Sequence, residues 1–373
     1  MDKSKHTGRA RVRNAVRYFT AVLALAVAMP ATAQSCLGDL NADRTVTGAD
    51  IGSLLDQWGQ AGSADLNGDG IVGGADLGLL LEFWGACPPV TVPSWATLVE
   101  AEPNPAVVTD ATLRAAIIAS GLAWRVRDTA TQIEMLLIPA GTFTMGCRAP
   151  NQWGCLGDEN PTRSVTLTQS FYMGRYEVTQ SQWVAKMGSN PSRFQACSES
   201  ARRPVENVSW NAIQGFLSET DMRLPSQAEW QYACWAVTTT ALNNGSSHDA
   251  TVGNTVWQCY GSSDDATAGN ISWHWENSGL ETHTVGGKAA NALGLHDLLG
   301  NVWEWGNDWH DGIFYELNPS TKTREPVPTR FRVTLGNSFS SGADEVRFSL
   351  RKAIYGRPDW EDDDLGFRVA RNP

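Results

Sequence analysis

Gly294-Leu-His-Asp-Leu-Leu-Gly-Asn-Val-Trp-Glu-Trp305 decides how the second half of this chain folds. The stretch carries little regular hydrophobic period, so neither a long helix nor an alternating strand describes it. It belongs to a longer run after Cys234 that is rich in Gly, Asn, Ser, Asp and Trp. A run with so many Trp can bury enough surface to fold, and it reads as long packed loops. Loops of that length need metals, disulfides or Trp anchors to hold them.

Regular elements precede that run. Ile133-Glu-Met-Leu-Leu-Ile-Pro-Ala-Gly-Thr-Phe-Thr-Met-Gly146 reads as two short strands around Pro139–Gly141. Phe171–Val178 reads as a strand, followed by a helix over Gln180–Met187 with Thr179 as its N-cap. A second helix is expected over Trp210–Ser218, and a third begins at Ser226, where Ser226 and Glu229 form a capping box. Pro88–Pro93 reads as an extended linker, and a helix over Asp110–Ser120, closed by Gly121, leads into the main domain. The domain boundaries are accordingly 36–87, 88–132 (linker and lead-in) and 133–373.

Composition excludes several classes. The chain has 373 residues, 42% hydrophobic and 18% charged, which suits a folded protein. Its formal charge is −11, so a phosphate-binding surface for nucleic acid is not expected. Residues 1–33 read as an export signal: six basic residues, an apolar run from Tyr18 to Met29, and Ala31-Thr32-Ala33 as a cleavage site. That run is shorter than the ~20 residues of a membrane span. Six of the 29 basic and one of the 40 acidic residues lie within 1–33. The mature chain is left with 23 against 39, a charge of −16 that suits calcium. The expected location is therefore exported: secreted, periplasmic or at the cell surface.

Two segments repeat at an offset of 26 residues, Asp39–Asp50 and Asp65–Asp76. Each places oxygen side chains at positions 1, 3, 5 and 12 of a twelve-residue loop, where alternate residues converge on one hard cation. The expected calcium ligands are Asp39, Asn41, Asp43 and Asp50 with the Thr45 carbonyl. In the second loop they are Asp65, Asn67, Asp69 and Asp76 with the Ile71 carbonyl. Gly70 supplies the turn at position 6, where the first loop has Arg44. Short helices are expected at Ile51–Trp58 and Leu77–Trp84, ended by Gly59 and Gly85. Cys36 and Cys87 bracket the repeat, and in an exported protein they read as a disulfide stapling its ends. Cys147 and Cys155 share one loop and read as a second pair; Cys197, Cys234 and Cys259 remain, with no choice among them.

The paired loops, each followed by one helix, resemble a type I dockerin over about 50 residues. That resemblance implies a small all-α module that docks onto a cohesin-like partner. Gly48-Ala49 and Gly74-Ala75, identical in both repeats, would take part in partner choice. Further along, Ile138–Gly146, Asp158-Glu-Asn-Pro161, Tyr176-Glu-Val-Thr179, Pro204–Trp210, Arg223–Ala233, Gly294–Trp305 and Leu365-Gly-Phe-Arg368 appear in order. Together they resemble the formylglycine-generating enzyme (sulfatase-modifying factor) family. The implied fold is α+β, a C-type-lectin-like variant with little regular secondary structure. The implied structural calcium site uses the side chains of Asp297 and Glu304 and the carbonyls of Gly300 and Val302.

The chemistry departs from that family. Its oxidases hold copper through two Cys five residues apart, because soft thiolates suit Cu(I). In the matching stretch, Gly336–Val346, those positions are Ser341 and Val346, and no Cys follows Cys259. Copper is therefore not expected, and calcium is the expected ion. The domain is expected to act as a non-oxidase binding module, possessing a glycan or protein ligand, in an assembly of the polysaccharide-degrading kind. The alternative is protein-cysteine oxidation, or another metal-dependent oxidase, on the same fold. His274, His283, His296 and His310 lack metal-ligand spacing, and Ser338 and Ser341 lack a Gly-x-Ser-x-Gly elbow. Trp273, Trp275, Trp303, Trp305 and Trp309 are the candidates for an aromatic sugar platform.

Overall fold

Met135-Leu-Leu-Ile138 is a run without alternation, as a strand buried on both faces requires. In a computed structural model of the chain this run lies at the centre of a five-stranded sheet, buried throughout. The structure describes residues 38–41, 45–87, 89–146, 159, 161–196, 198–235, 266–310, 329–346, 349–352 and 356–373. The export signal, Cys36, Asp43, Arg44, Cys147, Cys155, Cys197 and Cys259 lie outside the described residues.

The first module holds β1 (Thr45–Val46), α1 (Gly48–Leu55), α2 (Gly74–Glu82) and β2 (Gly85–Ala86). Val46, Leu54, Ala64, Val72 and Leu80 form its separate small core. Both helices start three residues earlier than the sequence reading placed them. The reason is the position-12 aspartate. Asp50 and Asp76 each sit at the third residue of a helix and accept the backbone N–H of Thr47 or Gly73, a capping arrangement that pulls the helix start back into the loop. Nor is the module purely helical, since β1 and β2 pair antiparallel and close it.

The domain that follows runs β3 (Ala96–Glu100), α3 (Ala111–Ala119), β4 (Arg125–Asp128), β5 (Glu134–Ile138), β6 (Gly141–Met145), β7 (Arg163–Leu167), β8 (Phe171–Gly174), α4 (Gln180–Met187), α5 (Trp210–Thr220), α6 (Gln227–Trp235), α7 (Ala266–Ile271), β9 (Trp303–Trp309), β10 (Arg332–Leu335), β11 (Arg351–Lys352), β12 (Leu365–Gly366) and β13 (Ala370–Arg371). The antiparallel sheet has the order β13-β8-β5-β4-β3. A second sheet, β11-β10-β9-β12, has one parallel pair, β12 with β9. A separate β6–β7 pair completes the set.

The stretch 88–132 is therefore not merely linker and lead-in. Its helix forms as expected, with Asp110 as N-cap, and buries Leu113 and Ile117 in the main core. Two strands were hidden, because β4 alternates Arg125 and Arg127 with buried Val126 and Asp128 and so looks polar. Similarly, β9 falls inside the run read as loops, its Trp and Glu residues taking strand geometry. The strand at Phe171 ends at Gly174 rather than Val178.

Local signals held where they were strong. Thr179 and Gln182 exchange capping hydrogen bonds at α4, as Ser226 and Glu229 do at α6. Trp183 stacks on Phe216 and both meet Phe367 edge-to-face, with ring centroids 5.5–5.9 Å apart. Trp124, Trp230, Trp303 and Trp305 are fully buried beside them. Much of the unusual Trp content is thus core.

Candidate functional site

The turn of residues 294–305 is built on left-handed backbone at Asp297, Gly300 and Asn301. At Gly300 a Cβ would stand 2.3 Å from the Trp273 carbonyl oxygen, so no other residue fits there. Asn301 is buried and locks the turn: its Nδ2 donates to Glu177 (2.7 Å), and its Oδ1 accepts from the His283 N–H (2.8 Å). Asp297 accepts from the Gly286 N–H through Oδ2. Its Oδ1 is buried and, among the described residues, accepts no hydrogen bond.

Glu304 is held by Arg368 and Trp230. Arg368 Nε lies 2.8 and 2.7 Å from its two oxygens, Arg368 Nη2 2.6 Å from Oε1, and Trp230 Nε1 donates to Oε2 at 2.7 Å. Both carboxylate oxygens are engaged, so Glu304 is the counter-ion of Arg368. Asp297 is the carboxylate with an oxygen to spare. Glu177, quoted in a sequence landmark but not singled out as a site residue, completes the cluster. Burial pushes its carboxyl well above the usual range, and the charges of Asp297 and Glu304 push it further. Burial likewise raises Asp297, with Glu304 adding to the shift against Arg368. Three buried acids thus face the Arg368 guanidinium, and the Lys288 charge also acts on Asp297.

The loop after β10 packs directly on this turn. Gly300 N–H donates to Gly336 O (2.9 Å), and Phe339 N–H to Asn301 O (2.8 Å). Ser341 and Val346, the positions that the sequence reading matched to the family's two thiols, are both buried. Ser341 Oγ accepts from the Ser338 N–H at 3.3 Å. The hydroxyls of Ser338 and Ser340 donate to Asp364 Oδ2 at 2.8 and 2.6 Å. The described free thiol, Cys234, lies buried in the core, where desolvation raises its pKa well above the usual thiol value.

The remaining candidates separate cleanly. His274 bonds to Ser272, His283 stacks on Trp273 and meets the Ser278 carbonyl, and His296 meets the Lys288 carbonyl. These rings serve backbone and side chains locally. Of the five Trp considered for sugars, Trp303 and Trp305 are core, whereas Trp275 is 55% exposed. Trp309 instead carries the Arg332 guanidinium 3.6 Å from its ring centroid.

In the first module, loop 2 is organised by its own side chains. Asp65 accepts from Gly68 and Gly70, Asn67 from Asp69, and Asp69 from Ile71. Asp76 accepts from Leu66, Asn67 and Gly73 and is buried, which lowers its pKa through those backbone bonds against desolvation. Asp50 ties Leu40 and Asn41 to Thr47 in the same manner in loop 1. Gly48, Ala49, Gly74 and Ala75 occupy the helix starts, and all four are exposed. Among the described residues, the acidic and sulfur groups that converge within 4.8 Å are Asp39, Cys87 and Glu102. Cys87 is disulfide-bonded, so it offers no thiolate there.

The mixed sheets, the Trp core and the turn anchored on Arg368 define a sulfatase-modifying-factor-type domain. Residues 123–373 match the family described as the sulfatase-modifying factor enzyme 1-like domain, and the chain belongs to that family. The match begins at Ala123, so β4 lies inside the family domain. Formylglycine-generating enzyme from Mus musculus is 26% identical over 294 residues, covering 64% of this chain and 74% of its own. Serine/threonine-protein kinase pkn1 from Chlamydia caviae is 29% identical over 263 residues; this chain spans only 38% of that protein's length. Among solved structures, Treponema denticola variable protein 1 superposes with a TM-score of 0.51 at 27% identity, covering 65% of this chain and 95% of its own. Among the described residues, no helix is long and apolar enough to cross a membrane.

Proposed function

We propose that this is an exported, calcium-binding protein in which a dockerin-like module carries a non-oxidase sulfatase-modifying-factor domain that binds a ligand. The observation that carries the reading is the Ser341–Val346 loop. A copper oxidase of this family needs two thiolates there, and a hydroxyl and an isopropyl group cannot hold Cu(I). Family membership leaves the chemistry open, since the relatives of this chain include both formylglycine-generating enzyme and the much longer serine/threonine-protein kinase pkn1.

Calcium is proposed in three places: loop 1, loop 2 and the turn at Asp297. At the turn, Asp297 has the unengaged oxygen, and the carbonyls of Gly300 and Val302 are the companions the family resemblance implies. Glu304 balances Arg368 nearby instead of standing free as a ligand. A bound calcium would supply the positive charge that one arginine cannot, and would pin the loops that form the ligand surface. The dockerin-like module supplies attachment to a cohesin-like partner, with no chemistry of its own.

Oxygen uptake tests the reading. The mature protein, supplied with Cu(I) and a cysteine-containing peptide, is expected to consume oxygen no faster than a protein-free control. Thiol-dependent turnover, with peptide aldehyde as product, would establish the oxidase alternative.

A further inference from the structure

The two loops of the first module are anchored differently. Loop 2 is entered from a continuous chain, Gln60-Ala-Gly-Ser-Ala-Asp65. Gln57 holds that entry, its Oε1 accepting from the Ser63 hydroxyl and the Ala64 N–H at 3.2 Å each. At the 26-residue offset Gln57 corresponds to Phe83, whose side chain has no acceptor to offer loop 1. Loop 1 also has Arg44 at position 6, where loop 2 has Gly70 with φ +93°.

Each repeat nevertheless clasps the other in the same way. The Gly59 N–H donates to Val72 O and the Val72 N–H to Gln60 O, both at 2.9 Å. In the other direction Val46 pairs with Gly85 and Thr45 with Ala86. These are matching positions at the 26-residue offset, so the exit of each repeat lies along the ligand loop of the other. One step beyond the exits the repeats differ. Ala61 and Gly62 are joined by a peptide bond, whereas their counterparts are Cys87 and Cys36. Cys87 is disulfide-bonded, and its Sγ lies 3.7 Å from Oδ2 of Asp39, the first ligand position of loop 1. Cys36 lies outside the described residues.

We propose that Cys87 is bonded to Cys36, and that this disulfide gives loop 1 the covalent entry that loop 2 receives from the chain. The bond holds Asp39 at position 1, and the adjoining β1–β2 pair holds Thr45, whose carbonyl is an expected ligand. A loop ordered in advance does not have to be ordered by the ion, so the bond raises calcium affinity. Linkage is reciprocal: calcium then protects the bond against reduction by the same factor. Cys87 is thus a positioning residue for loop 1, and loop 2 is independent of it. This inference rests on the calcium reading of the two loops.

The test uses the full mature chain, with calcium alone as the probe. The backbone N–H resonances of Thr47 and Gly73, each held by the position-12 aspartate of its own loop, report loops 1 and 2 separately in an NMR titration. In the Cys36→Ser/Cys87→Ser double variant, loop 1 affinity is expected to fall about tenfold and loop 2 affinity by less than about twofold. The unaltered protein supplies a second measurement should that variant fail to fold. Dithiothreitol gives two electrons to the disulfide, leaving two cysteine thiols and its own cyclic disulfide, and this equilibrium is read with and without saturating calcium. Calcium should favour the oxidised protein about tenfold, a potential about 30 mV more negative. Equal loss in both loops, no loss in either, or a calcium-independent equilibrium overturns the proposal, as does a peptide map joining Cys87 to another cysteine. Those results leave the calcium reading intact, whereas an oxidised chain that binds no calcium at either loop sinks both.

Discussion

The small module and the domain that follows spend their acidic side chains in opposite ways. In the module, Asp50, Asp65, Asp69 and Asp76 turn their carboxylates onto backbone N–H groups of their own loops. In the domain, Glu177, Asp297 and Glu304 are brought together from distant parts of the chain around Arg368. The first arrangement is local and repeats in the sequence. The second exists only once two sheets and two loops have packed. The module also has a five-residue core next to a disulfide-bonded Cys87, whereas the domain rests on buried Trp and Phe.

Removing the arginine should break the domain hardest. Arg368→Met leaves the buried Glu304 carboxylate without its paired guanidinium, and urea unfolding should show a loss of about 3–5 kcal/mol. A loss below about 1 kcal/mol would refute the assignment of Arg368 as the counter-ion of Glu304.

The next effect concerns acid. Arg127, Arg125 and Arg175 hold the Glu134 carboxyl down at about 2, against an opposing desolvation by burial. A depressed folded-state pKa contributes stability that is fully present above the ordinary value of 4.5 and is lost as pH falls from 4.5 towards 2. The shift corresponds to at most about 3 kcal/mol. Glu134→Gln should therefore flatten the stability profile over that window, as read by urea midpoints at several pH values. A profile parallel to that of the parent would refute the assignment.

Chelation should act mainly on the module. Calcium held at a hundred times its dissociation constant stabilises a folded site by about 2.7 kcal/mol. Adding EDTA is expected to release the module's hydrogen-exchange protection at Leu54 and Leu80 well before that of Leu136 in the central strand. Equal loss in both regions would erase the contrast drawn between them. Smallest of the four, Asp76→Ala should cost about 1–3 kcal/mol, spent by orphaned N–H groups of loop 2, and should destabilise the module without moving the domain's transition.

What could be read in the sequence follows the same division. The caps at Thr179 and Ser226 involve residues three apart, so the two helices were legible. The repeat of loop and helix was legible for the same reason, although the helix starts were not, because Asp50 and Asp76 act as caps as well as loop residues. Strand β4 was hidden by Arg125 and Arg127, whose purpose is to grip Glu134 on the neighbouring strand. The turn at Asp297 was marked by Gly300, yet the engagement of Glu304 by Arg368 and Trp230 depends on partners 64 and 74 residues away. Glu177 gave no signal of its own beyond its motif, since its role is set by Asn301, 124 residues on.

The metal content of the purified mature protein, residues 34–373, measured by inductively coupled plasma mass spectrometry, bears most directly on the account. It predicts about three calcium ions per chain, two in the repeated loops and one at the Asp297 turn, with no stoichiometric copper. Copper or iron at one per chain, without calcium, would contradict it.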